Sequence, residues 1–519
     1  MNVILNGKKI RVLNGERLVE IIRRFEPSFP SPCYHGALTE TGHCEMCFVG
    51  ARRKAEDPFT VIFSCTATAK EGMEINTGYE PAVASRNKLI ALCSLHHPAD
   101  CAKCDKVGSC FLQKFAVQSK LPRFSRIVCG KLEGVEYVDI GSGVIFDKQK
   151  CIGCQRCVRF CRDILGEEVL GFLLGKGGFN TIELYPGKTL ESNYAMNLVD
   201  LCQGGALISK NRIYQPSAWN LAKTMSISAE SSVGVNTYVL HEKNKVFRII
   251  PRENEHVNGT WMPDSARMEH EFGNGRERLL RITQNGRRLP LKSAISQILK
   301  SALSNKLFVV CSGNMSLEDQ FVLRRFLDIV VSAVFLLKKT RTGDGFLISD
   351  DATPNFNGLI LASIASDENI VDDLSALEEA VNSKECKKIL AINEDIFAHG
   401  LSEDMLKSVD IFYIGTEMNA TAMAAKIAIP AATFFEYTGT FINRDWRLQK
   451  FYRAVNPPNI NILPMWCLFS LMTNSYIGSK SDDLTRIDKV WEEMVNSLPQ
   501  LANVNFLDFD PSGVVLKFR

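Results

Sequence analysis

Three sets of side chains before residue 203 have types and spacings suited to binding metal through sulfur. Cys33, Cys44, Cys47 and Cys65 form C-x10-C-x2-C-x17-C. Four thiolates from one loop suit a plant-type [2Fe–2S] group, although that type usually opens C-x4-C-x2-C and the first gap here is longer. A structural zinc knuckle also uses a Cys-x-x-Cys pair, so spacing alone leaves both chemistries open. Gly36 and Gly42 are expected to let the backbone wrap close to the sulfurs without a Cβ clash.

The second set is His97, Cys101, Cys104 and Cys110, at H-x3-C-x2-C-x5-C. One imidazole and three thiolates within a loop-sized span can surround a single centre. An imidazole in place of a thiolate makes a cluster less negative and raises its reduction potential. A zinc site of three cysteines and one histidine competes by ligand count. His96 lies one residue too early and reads as an outer partner or surface group. Cys93, in the apolar stretch Leu89 to Leu95, reads as a small buried hydrophobe.

The third set opens with Cys151, Cys154, Cys157 and Cys161, the C-x2-C-x2-C-x3-C run of a ferredoxin. In two-cluster ferredoxins the fourth cysteine of this run serves the other cluster and is followed by Pro, whereas Arg162 follows Cys161 here. The reciprocal run would carry four cysteines, but the stretch around Cys202 carries one. The expectation is therefore a single [4Fe–4S] site held by Cys151, Cys154, Cys157 and Cys202, with Cys161 a buried bystander. Arg156, Arg159 and Arg162 recur at i+3 spacing along the run. They either offset the negative charge of a thiolate-bound cluster or form a solvated helix face.

These loops need elements to hold them. An alternating N-terminus broken at Asn6-Gly7 predicts a strand pair, Val3 to Leu5 and Lys9 to Val12, followed by a helical stretch from Glu16 to Phe25. From about Trp219 the pattern changes. Strand-like runs at 233–240, 246–250, 307–311, 359–364, 389–392 and 411–414 alternate with helical stretches such as 317–330 and 372–382, which predicts a parallel α/β domain. Ser316 and Asp319 read as a helix cap after a βα turn at Ser312-Gly-Asn314. Gly175-Lys-Gly-Gly178 lacks a dinucleotide fingerprint and reads as a turn.

The bulk composition bounds the function class. At 519 residues the chain exceeds one core. All but three of its 17 cysteines precede residue 203, the others being Cys311, Cys386 and Cys467. In a reducing compartment such density is metal or redox chemistry, not disulfides. The net charge of +3, without a basic run interleaved with aromatics, argues against nucleic acid. No apolar stretch reaches the roughly 18 residues of a spanning helix, so membrane association is expected only through partner subunits. The N-terminus signals neither secretion nor organelle import.

The order of the first set, then His-Pro-x-Asp-Cys-x-x-Cys, then Cys-Ile-x-Cys-x-Arg-Cys-Val-Arg-Phe resembles the large peripheral-arm iron–sulfur subunit of NADH:quinone oxidoreductase, respiratory complex I. The family's fourth ligand for the third site sits in Cys-Pro-x-Gly-Ala-Leu; this chain keeps Cys202, Gly205, Ala206 and Leu207 but has Gln203 for Pro. The resemblance implies one [2Fe–2S] and two [4Fe–4S] clusters, the His97 site being [4Fe–4S]. It implies a β-grasp ferredoxin-like domain at 1–80, the segment with one histidine and three cysteine ligands at 81–120, a ferredoxin-like [4Fe–4S] domain at 121–215 and a degenerate molybdopterin-oxidoreductase-like α/β domain at 216–519. That last domain would lack its relatives' chemistry; no cysteine lies between Cys202 and Cys311 to hold an additional cluster there. No flavin, NAD or molybdopterin is expected on this chain. The implied partners are a flavin/NADH-binding subunit and other iron–sulfur subunits, on the cytoplasmic face of a bacterial inner membrane or the matrix side of the mitochondrial one. NAD-linked formate dehydrogenases and iron-only hydrogenases share the opening motifs, and a catalytic subunit of either kind is the alternative.

Overall fold

The computed structural model describes residues 1–518 apart from 99, 119–136, 175–179, 211–215, 276, 367 and 478–483, and for Leu95, His96, Leu174 and Asn180 the backbone alone. The Gly175–Gly178 segment therefore lies outside the described residues. The chain divides into two units, Met1–Leu221 and Ala222–Arg519.

In the first unit β1 (Asn2–Leu5) and β2 (Lys8–Arg11) form a hairpin. Asn6 and Gly7 take φ of 49° and 80°, as a tight two-residue turn with the strands' twist requires. Helix α1 (Leu18–Phe25) buries Leu18, Val19, Ile21 and Ile22. Each such side chain contributes about 1.5–3 kcal/mol on full burial. With β3 (Phe48–Arg52), β4 (Thr60–Phe63) and β5 (Glu74–Asn76) the sheet runs β2-β1-β5-β3-β4, with β1 and β5 parallel. The loop from α1 to β3 carries three cysteines of the first set, and Cys65 follows β4. Helices α2 (Glu80–His96) and α3 (Phe111–Gln118) flank the second set. Then come β6 (Tyr137–Gly141), β7 (Val144–Asp147), α4 (Arg156–Asp163), β8 (Leu170–Leu174), β9 (Asn180–Leu184), α5 (Asn197–Leu201) and β10 (Leu207–Ser209). Strands β10, β7 and β6 make an antiparallel sheet, and β8 and β9 a hairpin.

The second unit opens with β11 (Ala222–Ile227), β12 (Asn236–Glu242) and β13 (Lys245–Pro251), backed by α6 (Asp264–Asn274). These strands are antiparallel, so the runs at 233–240 and 246–250 form a separate sheet and not part of the parallel one. The reason is local: Lys243 and Asn244 both take positive φ and turn the chain straight back. Next follow β14 (Thr283–Gln284), β15 (Arg287–Arg288), α7 (Leu291–Ser304), β16 (Leu307–Ser312), α8 (Leu317–Leu327), β17 (Ser332–Leu337), α9 (Phe356–Leu361), β18 (Ile370–Val371), α10 (Ser375–Asn382), β19 (Lys388–Ile392), β20 (Asp410–Gly415), α11 (Ala420–Ala424) and β21 (Ile427–Pro430). Their sheet runs β15-β14-β21-β20-β19-β16-β17-β18, parallel from β21 to β18. Alternate residues enter two cores, Val309, Cys311, Leu390 and Ile392 on one face and Phe308, Val310, Ile389 and Ala391 on the other. Burial on both faces explains why these strands read as unbroken apolar runs. The 359–364 run, expected as a strand, is instead helix α9 and its exit: Leu359, Leu361, Ala362 and Ile364 are buried while Ile360 and Ser363 face out. A short apolar run does not distinguish the two periods. Ser316 and Asp319 form the expected reciprocal cap of α8. The unit closes with β22 (Gly439–Ile442), β23 (Arg447–Phe451), α12 (Met465–Ile477), α13 (Ile487–Ser497) and β24 (Val514–Val515).

Candidate metal centres

The structure draws the first four cysteines together. Cys33, Cys47 and Cys65 are buried, and Cys44 is half-buried. Thiol hydrogen bonds string the four sulfurs in the order Cys44, Cys33, Cys65, Cys47. Donation from Cys44 and Cys65 pulls Cys33 far down, and Cys65 lowers Cys47 to about 7. The same bonds hold Cys44 and Cys65 well above the ordinary thiol value. Gly42 has a φ of +61°, so it does use its missing Cβ. Gly36 does not: a Cβ there would meet only Glu20 Oε1, at 3.7 Å. Its expected role is therefore not required by the packing.

In the second set, α2 ends on His97, whose amide donates to the Cys93 carbonyl at 3.1 Å. Cys101 opens a 3-10 turn that Cys104 caps, and Cys110 precedes α3. Burial raises the Cys104 and Cys110 thiols against amide hydrogens from Lys106, Gln113 and Leu112, and the three cysteines feel one another's charge. His97 leads half-buried into this loop. Of His96 only the backbone is described.

The third set encloses a cavity of about 20 Å³ lined by Cys151, Cys154, Cys157 and Cys202 together with Arg156, Gly204 and Ala206. Cys161 is fully buried in α4 and does not line it. Burial pushes the Cys161 thiol up to about 12, with Glu167 adding to the effect. Backbone amides face the sulfurs: Gly153 to Cys151 at 3.4 Å, and Ala206 and Leu207 to Cys202 at 3.1 and 3.3 Å. Gln203 in the usual Pro position leaves no slack, because its carbonyl accepts from the Phe111 amide at 3.1 Å. Gly205, at φ +75°, lies where a Cβ would come within 2.6 Å of Lys106 Cβ.

The arginine run divides. Arg156 and Arg159 are buried in α4 and donate to backbone carbonyls of the first loop, Arg156 to Tyr34 and Arg159 to Cys33 and Thr39. Burial lowers Arg156 to about 10, so it stays cationic at neutral pH, beside the charge of Cys154 and Cys33. Arg162 is half-exposed and bonds Asp163 and Thr39. The solvated-face alternative thus fits Arg162 alone.

Sequence reasoning missed two lysines. Lys106 is buried and donates to the Val199 carbonyl at 3.0 Å. Lys150 is buried beside Asp100 and Asp147, both at 3.2 Å. Burial opposes its charge, but Cys104 and the two carboxylates prevail and raise its pKa. The available signal was a lysine flanking each cysteine run. A small apolar cluster of Met46, Ile90, Leu112 and Phe115 has Cys44, Cys110 and Ile152 packed around it, one contributor from each ligand loop. Cys93 packs there too, its thiol raised to about 11 by burial and by Cys154. Cys311, Cys386 and Cys467 lie in the cores of the second unit.

The donor chemistry fits iron–sulfur groups: four thiols in two sets and three with an imidazole in the other, amides aimed at sulfur and cations beside the thiolates. Among the described residues no three His, Cys, Asp or Glu side chains gather tightly enough for one metal ion.

Comparison with known proteins follows the same order along the chain. Residues 1–80 match the family model of a 2Fe-2S iron-sulfur cluster binding domain, and residues 141–208 that of the NADH-quinone oxidoreductase subunit 3 ferredoxin-like domain. Residues 221–271 match the NADH-ubiquinone oxidoreductase NDSU1/NuoG-like 4Fe-4S domain. This last stretch, β11 to α6, contains no cysteine, so it supplies no thiolate of its own. The chain is 30% identical over 350 residues to the NADH-ubiquinone oxidoreductase 75 kDa subunit of Reclinomonas americana, covering 66% of this chain and 49% of that protein. It is 32% identical over 269 residues to the mitochondrial 78 kDa subunit of Candida albicans, covering 51% and 36%. It is 31% identical over 281 residues to the mitochondrial NADH dehydrogenase (ubiquinone) iron-sulfur protein 1 of Solanum tuberosum, covering 54% and 37%. The chain therefore spans half or less of the length of these curated relatives. A solved NAD+-reducing [NiFe]-hydrogenase structure matches at 21% identity and a TM-score of 0.34, covering 41% of this chain and 89% of that one. With the three ligand loops, the family models and the curated relatives together, the chain is a relative of the 75 kDa and 78 kDa iron–sulfur subunits of NADH:ubiquinone oxidoreductase.

Proposed function

We propose that this chain relays electrons through the peripheral arm of an NADH:quinone oxidoreductase, from a flavin/NADH-binding subunit toward further iron–sulfur subunits and quinone. The observation that carries the reading is the apolar cluster of Met46, Ile90, Leu112 and Phe115, around which all three ligand loops meet. When bound, the clusters supply one-electron transfer. Cys33, Cys44, Cys47 and Cys65 hold a [2Fe–2S] group; His97, Cys101, Cys104 and Cys110 hold a [4Fe–4S] group; Cys151, Cys154, Cys157 and Cys202 hold a second [4Fe–4S] group. The chain's own part is to fix these groups, keep water from the apolar cluster between them and offset their charge with Arg156, Arg159 and Lys150.

The four-part division at 80, 120 and 215, and a molybdopterin-oxidoreductase-like fold without that chemistry from 216 onward, belong to the same proposal. So do the absence of a flavin, NAD or molybdopterin site and attachment to the membrane through partner subunits, on the cytoplasmic face in a bacterium or the matrix side in a mitochondrion. Among the described residues no helix is long and apolar enough to cross a membrane. The test is iron, labile sulfide and metal analysis with an EPR-monitored redox titration of the full chain. About ten irons per chain is expected, two plus four plus four. Zinc without sulfide, or stoichiometric molybdenum or tungsten, refutes the relay.

A further inference from the structure

The side chain of Arg156 is occupied at one end only. It is 7% exposed, and one terminal nitrogen donates to the Tyr34 carbonyl in the first ligand loop. Its Nε is buried with no hydrogen-bond partner in the protein. An unpaired buried donor costs stability, and native structures rarely leave one without an acceptor. Arg156 also lines the cavity that Cys151, Cys154, Cys157 and Cys202 enclose. Its placement is fixed by the backbone: Gln155, at φ +58°, turns the chain so that Arg156 begins α4, and the Arg156 amide faces the Cys154 sulfur. Arg159, one turn along, spends its nitrogens on Gln155, Thr39 and Cys33 carbonyls, so the two arginines are not equivalent.

We propose that Arg156 is a positioning residue of the third site, its Nε–H donating to a sulfur of the [4Fe–4S] group while its terminal nitrogen fixes the loop of the first site. The inference rests on the cluster assignment above. Reduction adds one negative charge to the cluster, delivered as an electron from a neighbouring cluster with no bond made or broken in the protein. A hydrogen bond to sulfur and a nearby cation both favour the more negative state, so Arg156 raises the third site's reduction potential. Because the same guanidinium grips Tyr34, it also links the geometry of the third site to that of the first.

The test uses the full chain with its clusters. In protein labelled with arginine carrying 15N at Nε alone, pulsed EPR of the reduced third cluster is expected to show a weak nitrogen coupling that disappears in Arg156→Lys. In EPR-monitored titrations Arg156→Gln shifts the third site's midpoint to lower potential. Arg156→Lys, which keeps a cation but lacks Nε–H, shifts it less, and Arg162→Gln leaves it in place. If Arg156→Gln loses the cluster, Arg156→Lys and the labelled unsubstituted chain decide. A third-cluster signal with no arginine nitrogen coupling, or with a midpoint indifferent to Arg156→Lys, overturns the inference and leaves the cluster assignment standing. A chain with about six irons and no third signal refutes the assignment itself.

Discussion

Cys161 and Cys202 compete for one role, and alanine at each gives opposite expected results. Cys161 is fully buried in α4 and away from the cavity, so Cys161→Ala deletes one heavy atom from a packed site. The cost is about 1 kcal/mol, as for loss of a single buried methyl group. Iron stays at about ten per chain, and the third cluster's signal persists. Cys202 lines the cavity and accepts from the Ala206 and Leu207 amides at 3.1 and 3.3 Å. Cys202→Ala removes a proposed ligand and strands both amides, each about 1–3 kcal/mol if left unpaired. Iron should fall to about six per chain with only the third signal lost. The assay is iron and sulfide per chain, EPR of the reduced protein and a urea midpoint for each variant. Loss of the third signal in Cys161→Ala, with Cys202→Ala intact, would refute the reasoning from cavity lining.

Two further outcomes concern the second unit, which holds four of the five tryptophans and so dominates the chain's intrinsic fluorescence. Arg278 and Glu436 form a bidentate ion pair at 2.6 and 2.9 Å, each side chain 3% exposed. Arg278→Met should destabilise the unit by about 3–5 kcal/mol by leaving a buried carboxylate alone, and adding Glu436→Met should recover part of that; additive losses in urea unfolding would contradict this. Glu269 is raised from 4.5 to about 8, by burial and then by Glu230, against bonds from Ser228 and Ala229. Because the folded value lies above the unfolded one, its contribution is full below about pH 4.5 and is lost as pH rises to about 8. Glu269→Gln should therefore flatten the decline of the urea midpoint across that window and gain a few kcal/mol at its upper end; superimposable pH profiles would rule this out.

Spacing within a run is a short-range property, so the sequence could nominate ligands there, whereas Cys202, far beyond Cys157 in the chain, was nominated by the missing reciprocal run and by the resemblance. The hairpin at Asn6-Gly7 and the cap at Ser316 and Asp319 were legible, since a few neighbouring residues carry the whole signal. What stayed hidden depends on contacts between distant residues. Arg156 and Arg159 look like a helix face until α4 is docked on a loop some 120 residues earlier. Lys150 becomes informative only beside Asp100 and Cys104. The run at 359–364 failed differently: it is too short to separate period 2 from period 3.6, and only burial against the sheet resolves it as α9.

The second unit bears on the relay reading through one crevice. In parallel sheets ligands bind beyond the carboxyl ends of the strands where the strand order reverses, which here is between β16 and β19. At that point Glu394 is 1% exposed. It accepts from Ser312 Oγ, from Lys339 Nζ at 3.1 Å and from Asn314 Nδ2 at 3.4 Å, with His399 Nε2 at 3.8 Å. The chain's own donors thus surround a carboxylate where a phosphate-bearing cofactor would have to place negative charge. Like charges at close range in a weakly screened interior repel strongly, and displacing Lys339 toward a phosphate would strip Glu394 of its counter-charge. The arrangement satisfies itself internally. A carboxylate so held weighs against a phosphate-bearing ligand in this crevice.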